Sequence, residues 1–276
     1  MAGVHFDITG DNKNLLRNLE GAKQGIKSLT KEAKREGLNI EDIMKHIGKS
    51  AAALGIGFSA TQLIRDVAMV RGEFQQLEVA LTTMLGSEEK ANALFQQLVN
   101  TAAKTPFDLQ GVAGGAKQLL AYGVAAEEVN DTIIRLGDIA AGLSIPLGDL
   151  VYLYGTTMTQ GRLFTQDLRQ FMGRGIPLAD ELAKQFGVAK DEVGGLVTAG
   201  KVGFPEVEKA IRSMTSEGGK FAGLMENQSK TITGQISNLQ DAVDSMFNEI
   251  GKSSQGAISG AISTATSLVE SYERVL

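Results

Sequence analysis

The sequence predicts an all-α protein, with a compact multi-helix domain flanked by long amphipathic, coiled-coil-like helices. Three observations carry this. Apolar residues recur at three- and four-residue spacings through most of the chain, the period of a helix with one buried face. Proline is scarce, 4 in 276 residues, while strong helix formers abound. The 33 glycines cluster where the periodicity stops. Each interior Gly costs a helix about 1 kcal/mol relative to Ala, so these read as helix ends and close-approach points.

Residues 1–10 hold a short alternating run, "VHFDIT", read as a strand or a disordered end. Asp11 is a good N-cap, and Leu15, Leu19, Ala22, Ile26, Leu29 and Ala33 then form a heptad-like seam. Lys13, Arg17, Lys27, Lys31 and Lys34 share another face, read as solvated. A second periodic run starts near Asn39 and reaches about Leu85. Gly48, Gly55, Gly57 and Gly72 are its candidate kinks. Residues 11–86 are therefore expected as a long helical hairpin or coiled-coil arm.

From Ser87 the helices become short, and 87–215 reads as a compact all-α domain of some seven helices. Ser87 caps one to about Ala103. Asp108 caps the next, which stops at Tyr122–Gly123. A third runs from about Glu127 to Ala141. "SIP" (144–146) breaks it, and Pro146 suits the first turn of a helix to about Thr159. Pro205 starts the helix that closes the domain. The polar, glycine-rich residues 216–234 read as a loop or mobile link. A last helix, from about Gln235 to the end (235–276), carries Ile236, Leu239, Val243, Met246, Phe247 and Ile250 on one face. The chain stops there without a breaker, so it is expected to be cut from something longer.

The stretch "GRLFTQDLRQFMGRGIPLADELAKQFG" (161–187) is expected to be a tight helix–turn–helix corner. Phe164, Leu168, Phe171 and Met172 fall on one helical face, with Thr165 as cap. Gly173–Arg174–Gly175 turns the chain. Pro177 starts a second helix, with Leu178, Leu182 and Phe186 inward, and Gly187 stops it. Arg162, Asp167, Arg169 and Arg174 are left for salt bridges or a partner surface, and Asp167 is expected to do no chemistry.

Other signals for chemistry are weak. The chain has no Cys, which excludes disulfides and thiolate metal sites. Its 2 histidines, His5 and His46, sit in no metal or triad pattern. "GIGFSA" (55–60) follows helix-forming residues instead of the strand a dinucleotide site needs. "GKS" at 48–50 and 251–253 lacks the preceding glycine of a phosphate loop. Glu127–Glu128 and Asp180–Glu181 could serve glycoside hydrolysis in principle, but acids at helix starts more often complement the dipole. No catalytic, cofactor-binding or metal residue is assigned. The net charge of −5 argues against a general nucleic-acid coat, and no specific nucleic acid is expected. No signal peptide is read at the N-terminus. No window reaches about 18 apolar residues, the length of a spanning helix. The repeat "GAIS" at 256–263 stacks Gly256 on Gly260, read as tight helix packing; 50–64 and 253–269 are the segments that could touch a membrane.

The order of "TPFDL" (105–109), "QLLAYGV" (118–124), "LGDIAAG" (136–142), "QGRLFTQDLRQFMGRGIPL" (160–178), "GKVGFPEVEKAI" (200–211), "MTSEGGKFAGLM" (214–225) and "TITGQISNLQDA" (231–242) resembles the N-terminal domain of tailed-phage and prophage tail tape measure proteins. The resemblance spans about residues 70–245, and 160–178 is its most specific motif. It implies a structural protein that sets tail length, scaffolds tail tube assembly and is ejected before the DNA. It implies the tail tube protein, tail assembly chaperones and tail-tip initiator proteins as partners. It also implies self-association through the helical arms and transient contact with a host membrane. It places the protein in the tube lumen of the virion tail, and in the host cytoplasm during assembly. The alternatives are a tail-associated peptidoglycan-degrading module or a membrane-active helical protein.

Overall fold

The computed structural model describes residues 60–253. Among them are eleven α-helices, one short 3-10 turn and one isolated β-bridge. The fold class is all-α, as the periodicity and the scarcity of proline predict. Contacts divide the chain into two units, Glu78–Asn238 and the residues flanking it on both sides.

The flanking unit holds most of α1 (Ala60–Leu85) and of α11 (Ile232–Ser253). α1 is the described end of the periodic run expected over 11–86, and it continues through Gly72 without a break. Val67, Phe74 and Leu77 are buried on α1, and Met246, Phe247 and Ile250 on α11. The last three belong to the apolar face read from the sequence. A polar contact joins these helices as well. The buried Arg71 guanidinium donates from Nη1 to Asn248 Oδ1 at 3.0 Å.

The compact unit begins inside α1, at Glu78. The next four helices are α2 (Glu88–Ala102), α3 (Leu109–Ala121), α4 (Ala126–Leu143) and α5 (Leu147–Gln160). Local chemistry sets their ends. Ser87 Oγ accepts from Lys90 N at 3.3 Å, and Asp108 Oδ1 accepts from Gly111 N at 2.8 Å. Each cap satisfies an amide that the first helical turn leaves unpaired. α4 stops where Ser144 takes a left-handed φ of 55°. Pro146 is the residue before α5 and not part of its first turn. α4 is the hub, packing against α2, α3, α5 and two later helices. Its Ile133 and Leu136 have no exposed surface.

The remaining helices are α6 (Thr165–Gly173), α7 (Leu178–Phe186), α8 (Val193–Thr198), α9 (Phe204–Thr215) and α10 (Leu224–Ser229). The 3-10 turn Lys190–Glu192 precedes α8. Pro205 lies in the first turn of α9, where its missing N–H costs nothing.

Residues 216–234, expected as a loop or mobile link, pack against α4. Phe221 and Met225 are buried. Met225 fills the space left by the absent side chain of Gly137. The buried Asp138 carboxylate accepts from Gly223 N at 3.3 Å and Met225 N at 2.9 Å, capping α10 from another helix. Gln228 Nε2 donates to Ala141 O at 2.7 Å. Burial pushes the Asp138 carboxyl above its ordinary pKa range, while the two amides and Arg135 oppose that. The polar, glycine-rich composition suggested a solvated loop. It is explained instead by a strap whose turns need glycine, at Gly218 and Gly223, and whose Phe221 and Met225 side chains are buried.

Candidate functional site

The stretch around 161–187 is the best candidate, because it carries the most specific motif and the least explained charges. The structure confirms a helix–turn–helix corner, α6 followed by α7. Its inner side is dry. Leu168 is 5% exposed and Phe171 1%, and Ile176, Leu178 and Leu182 are buried with them. Two members of the expected apolar face point elsewhere, however. Phe164 is 39% exposed and Met172 43%. Phe164 has extended backbone, φ −97° and ψ 156°, so it stands outside the helical register that its spacing assumed.

The expected cap is also different. Thr165 is the first helical residue, not the cap, and its hydroxyl lies 3.4 Å from that of Thr198 on α8. Asp167 instead reaches back, its Oδ2 accepting from Phe164 N at 3.4 Å. That carboxylate is buried, and this backbone contact accounts for it.

Gly175 makes the turn, with φ +84°. A side chain there meets the left-handed penalty of about 1–2 kcal/mol, and branching at Cβ aggravates it. A Cβ would also sit 3.4 Å from Leu143 Cδ2. Gly175→Val is therefore expected to lower the unfolding free energy by about 2 kcal/mol, read by urea denaturation. An unchanged midpoint would show that the turn has another conformation. Pro177 occupies the residue before α7, and Gly187 ends it at φ +66°.

The corner is tied to the α8–α9 connection by the isolated antiparallel bridge Arg162↔Gly203. Leu163 N donates to Val202 O at 2.9 Å, and Phe204 N donates to Gly161 O at 3.0 Å. Leu163 and Val202, beside the bridged residues, are fully buried. The two-residue alternation then turns Arg162, Phe164 and Lys201 outward. The Arg162 guanidinium lies 4.3 Å from the Phe164 ring centroid. Behind this clasp the Tyr154 ring meets Phe204 edge-on, with centroids 5.1 Å apart. Burial, then the charge of Glu208, pushes the Tyr154 phenol up to about 12. Lys201 and the clasp were not found from the sequence, although alternation in "RLF" and "KVG" was present.

The four arginine and aspartate positions thus separate. Asp167 is structural. Arg174 pairs loosely with Asp149, Nη2 to Oδ2 at 3.4 Å. Arg162 stacks on Phe164. Arg169 is exposed.

The carboxylate pairs do not converge on a reacting centre. Glu127 and Glu128 open α4, and Glu127 pairs with Lys90 at 3.1 Å. A backbone hydrogen bond, and then Lys90, hold the Glu127 carboxyl below its ordinary range. Asp180 and Glu181 open α7 and pair separately with Lys190 at 2.9 Å and Lys184 at 2.6 Å. These are dipole and ion-pair positions. A shallow pocket of about 170 Å³ lies beside the corner, lined by Met172, Ile176, Pro177 and the Asp180–Lys190 pair. No group of three metal-ligating side chains occurs among the described residues. Gly251 of "GKS" (251–253) is buried in α11, where a Cβ would overlap that of Arg71 at 2.5 Å. It serves helix packing. His5, His46, "GKS" (48–50), Gly55 to Ser59 of "GIGFSA", the basic stripe, the 11–59 arm and the "GAIS" repeat lie outside the described residues.

A family described as "Tape measure protein" has a model that matches residues 65–252. That is well over half of the chain, and it contains the whole compact unit with the corner and clasp. The chain belongs to the tape measure protein family. No curated protein and no solved structure matches the chain. Membership supports a tape measure role in a phage tail, association with tail components and a location in the tail. It agrees with a fold whose charges serve caps, ion pairs and surface. No described helix is long and apolar enough to cross a membrane.

Proposed function

We propose that this chain is the N-terminal part of a tail-length ruler that scaffolds tube assembly from within the lumen and leaves ahead of the DNA. The observation that carries the reading is the family match over 65–252. The architecture supports it physically. A helix converts residue count into length at about 1.5 Å per residue, and long helices α1 and α11 flank a compact anchoring unit. In this reading the compact unit engages the tail-tip initiator proteins and the assembly chaperones. The helical parts lie along the tail tube protein and self-associate. The protein acts by length and contact, without catalysis.

The test is tail length by electron microscopy. An in-frame insertion of about 70 helix-forming residues after residue 253, in the phage that encodes the chain, is expected to lengthen tails by roughly 100 Å. Normal tails of unchanged length would refute the ruler. A cell-wall turnover assay on the purified chain is expected to show no hydrolysis. Robust turnover lost on neutralising a single acid would instead support a peptidoglycan-degrading module.

A further inference from the structure

The clasp turns two cations and an aromatic ring outward, and the fold does not explain them. Its backbone is fixed by two hydrogen bonds and by buried Leu163 and Val202. Arg162, Phe164 and Lys201 project from it, and Arg169 stands one turn into α6, also exposed. Among the described residues, none of these three cations reaches a carboxylate, although most other arginines of this unit do. The Arg162 guanidinium lies over the Phe164 ring, and the forked geometry of arginine suits a bidentate carboxylate contact.

The same unit carries a surface of opposite sign. The Lys90–Glu127 pair brings the first turns of α2 and α4 side by side. There Glu88, Glu89, Glu127 and Glu128 are all exposed, four carboxylates against one lysine. This edge is acidic and the clasp is basic, so the two surfaces are complementary in charge.

We propose that the clasp docks a second copy of this chain, taking that copy's α2–α4 acidic edge onto Arg162, Phe164, Arg169 and Lys201. Joining one surface to a different one makes the contact heterologous, which builds rings or open strings of copies. It places self-association on the compact unit and not only on the helical arms. It does not depend on the ruler reading, since a chain of any function could carry it.

Analytical ultracentrifugation of the full chain tests it. The unmodified chain is expected to self-associate at about 50 mM salt and to weaken at least about tenfold at about 500 mM, because exposed charges are screened. R162A/R169A/K201A and E88Q/E89Q/E128Q each lose that salt-sensitive association on their own. Mixed in equal amounts they form a 1:1 species, since one keeps the edge and the other keeps the clasp. All six positions are exposed, so helicity and melting temperature are expected to stay near the parent's, and circular dichroism checks this. Association that both variants retain would assign it to the arms and overturn the proposal. So would a mixture that stays unassociated, or a parent chain with no salt-sensitive association.

Discussion

Phe171→Ala lowers the unfolding free energy by about 3–5 kcal/mol. Phe171 is among the largest side chains with almost no exposed surface, at 1%. It sits at the last turn of α6, where the chain reverses toward α7. Its carbonyl accepts from Arg174 N at 3.2 Å and Ile176 N at 3.1 Å. The ring is thus anchored where two helices and the turn meet, and neighbours cannot collapse into the space without moving that turn. Burial of such a side chain is worth about 2–3 kcal/mol in transfer alone, and the cavity adds to it. For a unit of this size the loss corresponds to roughly 10 °C in melting temperature. Met172→Ala is the control. At 43% exposure it is expected to stay within about 0.5 kcal/mol of the parent. Equal effects at 171 and 172 would mean that the corner is packed differently.

That pair also shows what the sequence could and could not say. Spacing put Phe164, Leu168, Phe171 and Met172 on one stripe, and only Leu168 and Phe171 are buried. Spacing has a period but no depth. A nine-residue helix buries only the centre of its stripe, so Leu168 and Phe171 enter the core and Met172 stays on its flank. Phe164 failed for another reason. It precedes the helix, and an extended residue does not obey the helical period. Helix ends written in local chemistry were legible: Ser87, Asp108, Gly187 and Pro205 all act as their residue types predict. Contacts made across the fold were not. Nothing near Asp138 in the chain shows that its carboxylate caps α10, 85 and 87 positions away from the amides it receives. The strap was therefore read as a link from its composition. The clasp hid in the same way, because Arg162 and Gly203 are neighbours only after α6, α7 and α8 have folded between them.

Gly155→Val is expected to destabilise the unit by at least about 3 kcal/mol, at the upper end of overpacking costs. Gly155 is buried in the middle of α5, and the ring of Tyr122 lies directly on its Cα. A Cβ at 155 would overlap three ring atoms, Tyr122 Cγ included at 2.5 Å. Turning the ring about its own axis leaves Cγ in place, so only a new χ1 rotamer of Tyr122 or a shift of its backbone relieves the overlap. That backbone is held at the end of α3, where Tyr122 N donates to Gln118 O at 2.9 Å and Val124 N donates to Leu119 O at 3.0 Å. Either α3 separates from α5 or the ring is expelled into water. The glycine costs α5 about 1 kcal/mol in helix propensity, which is the smaller effect by this account. A double-mutant cycle separates the two. Tyr122→Ala removes the obstructing ring, so in its background Gly155→Val is expected to cost about 1 kcal/mol or less. If the valine costs as much without the ring as with it, the close approach of α3 to α5 is not what position 155 serves.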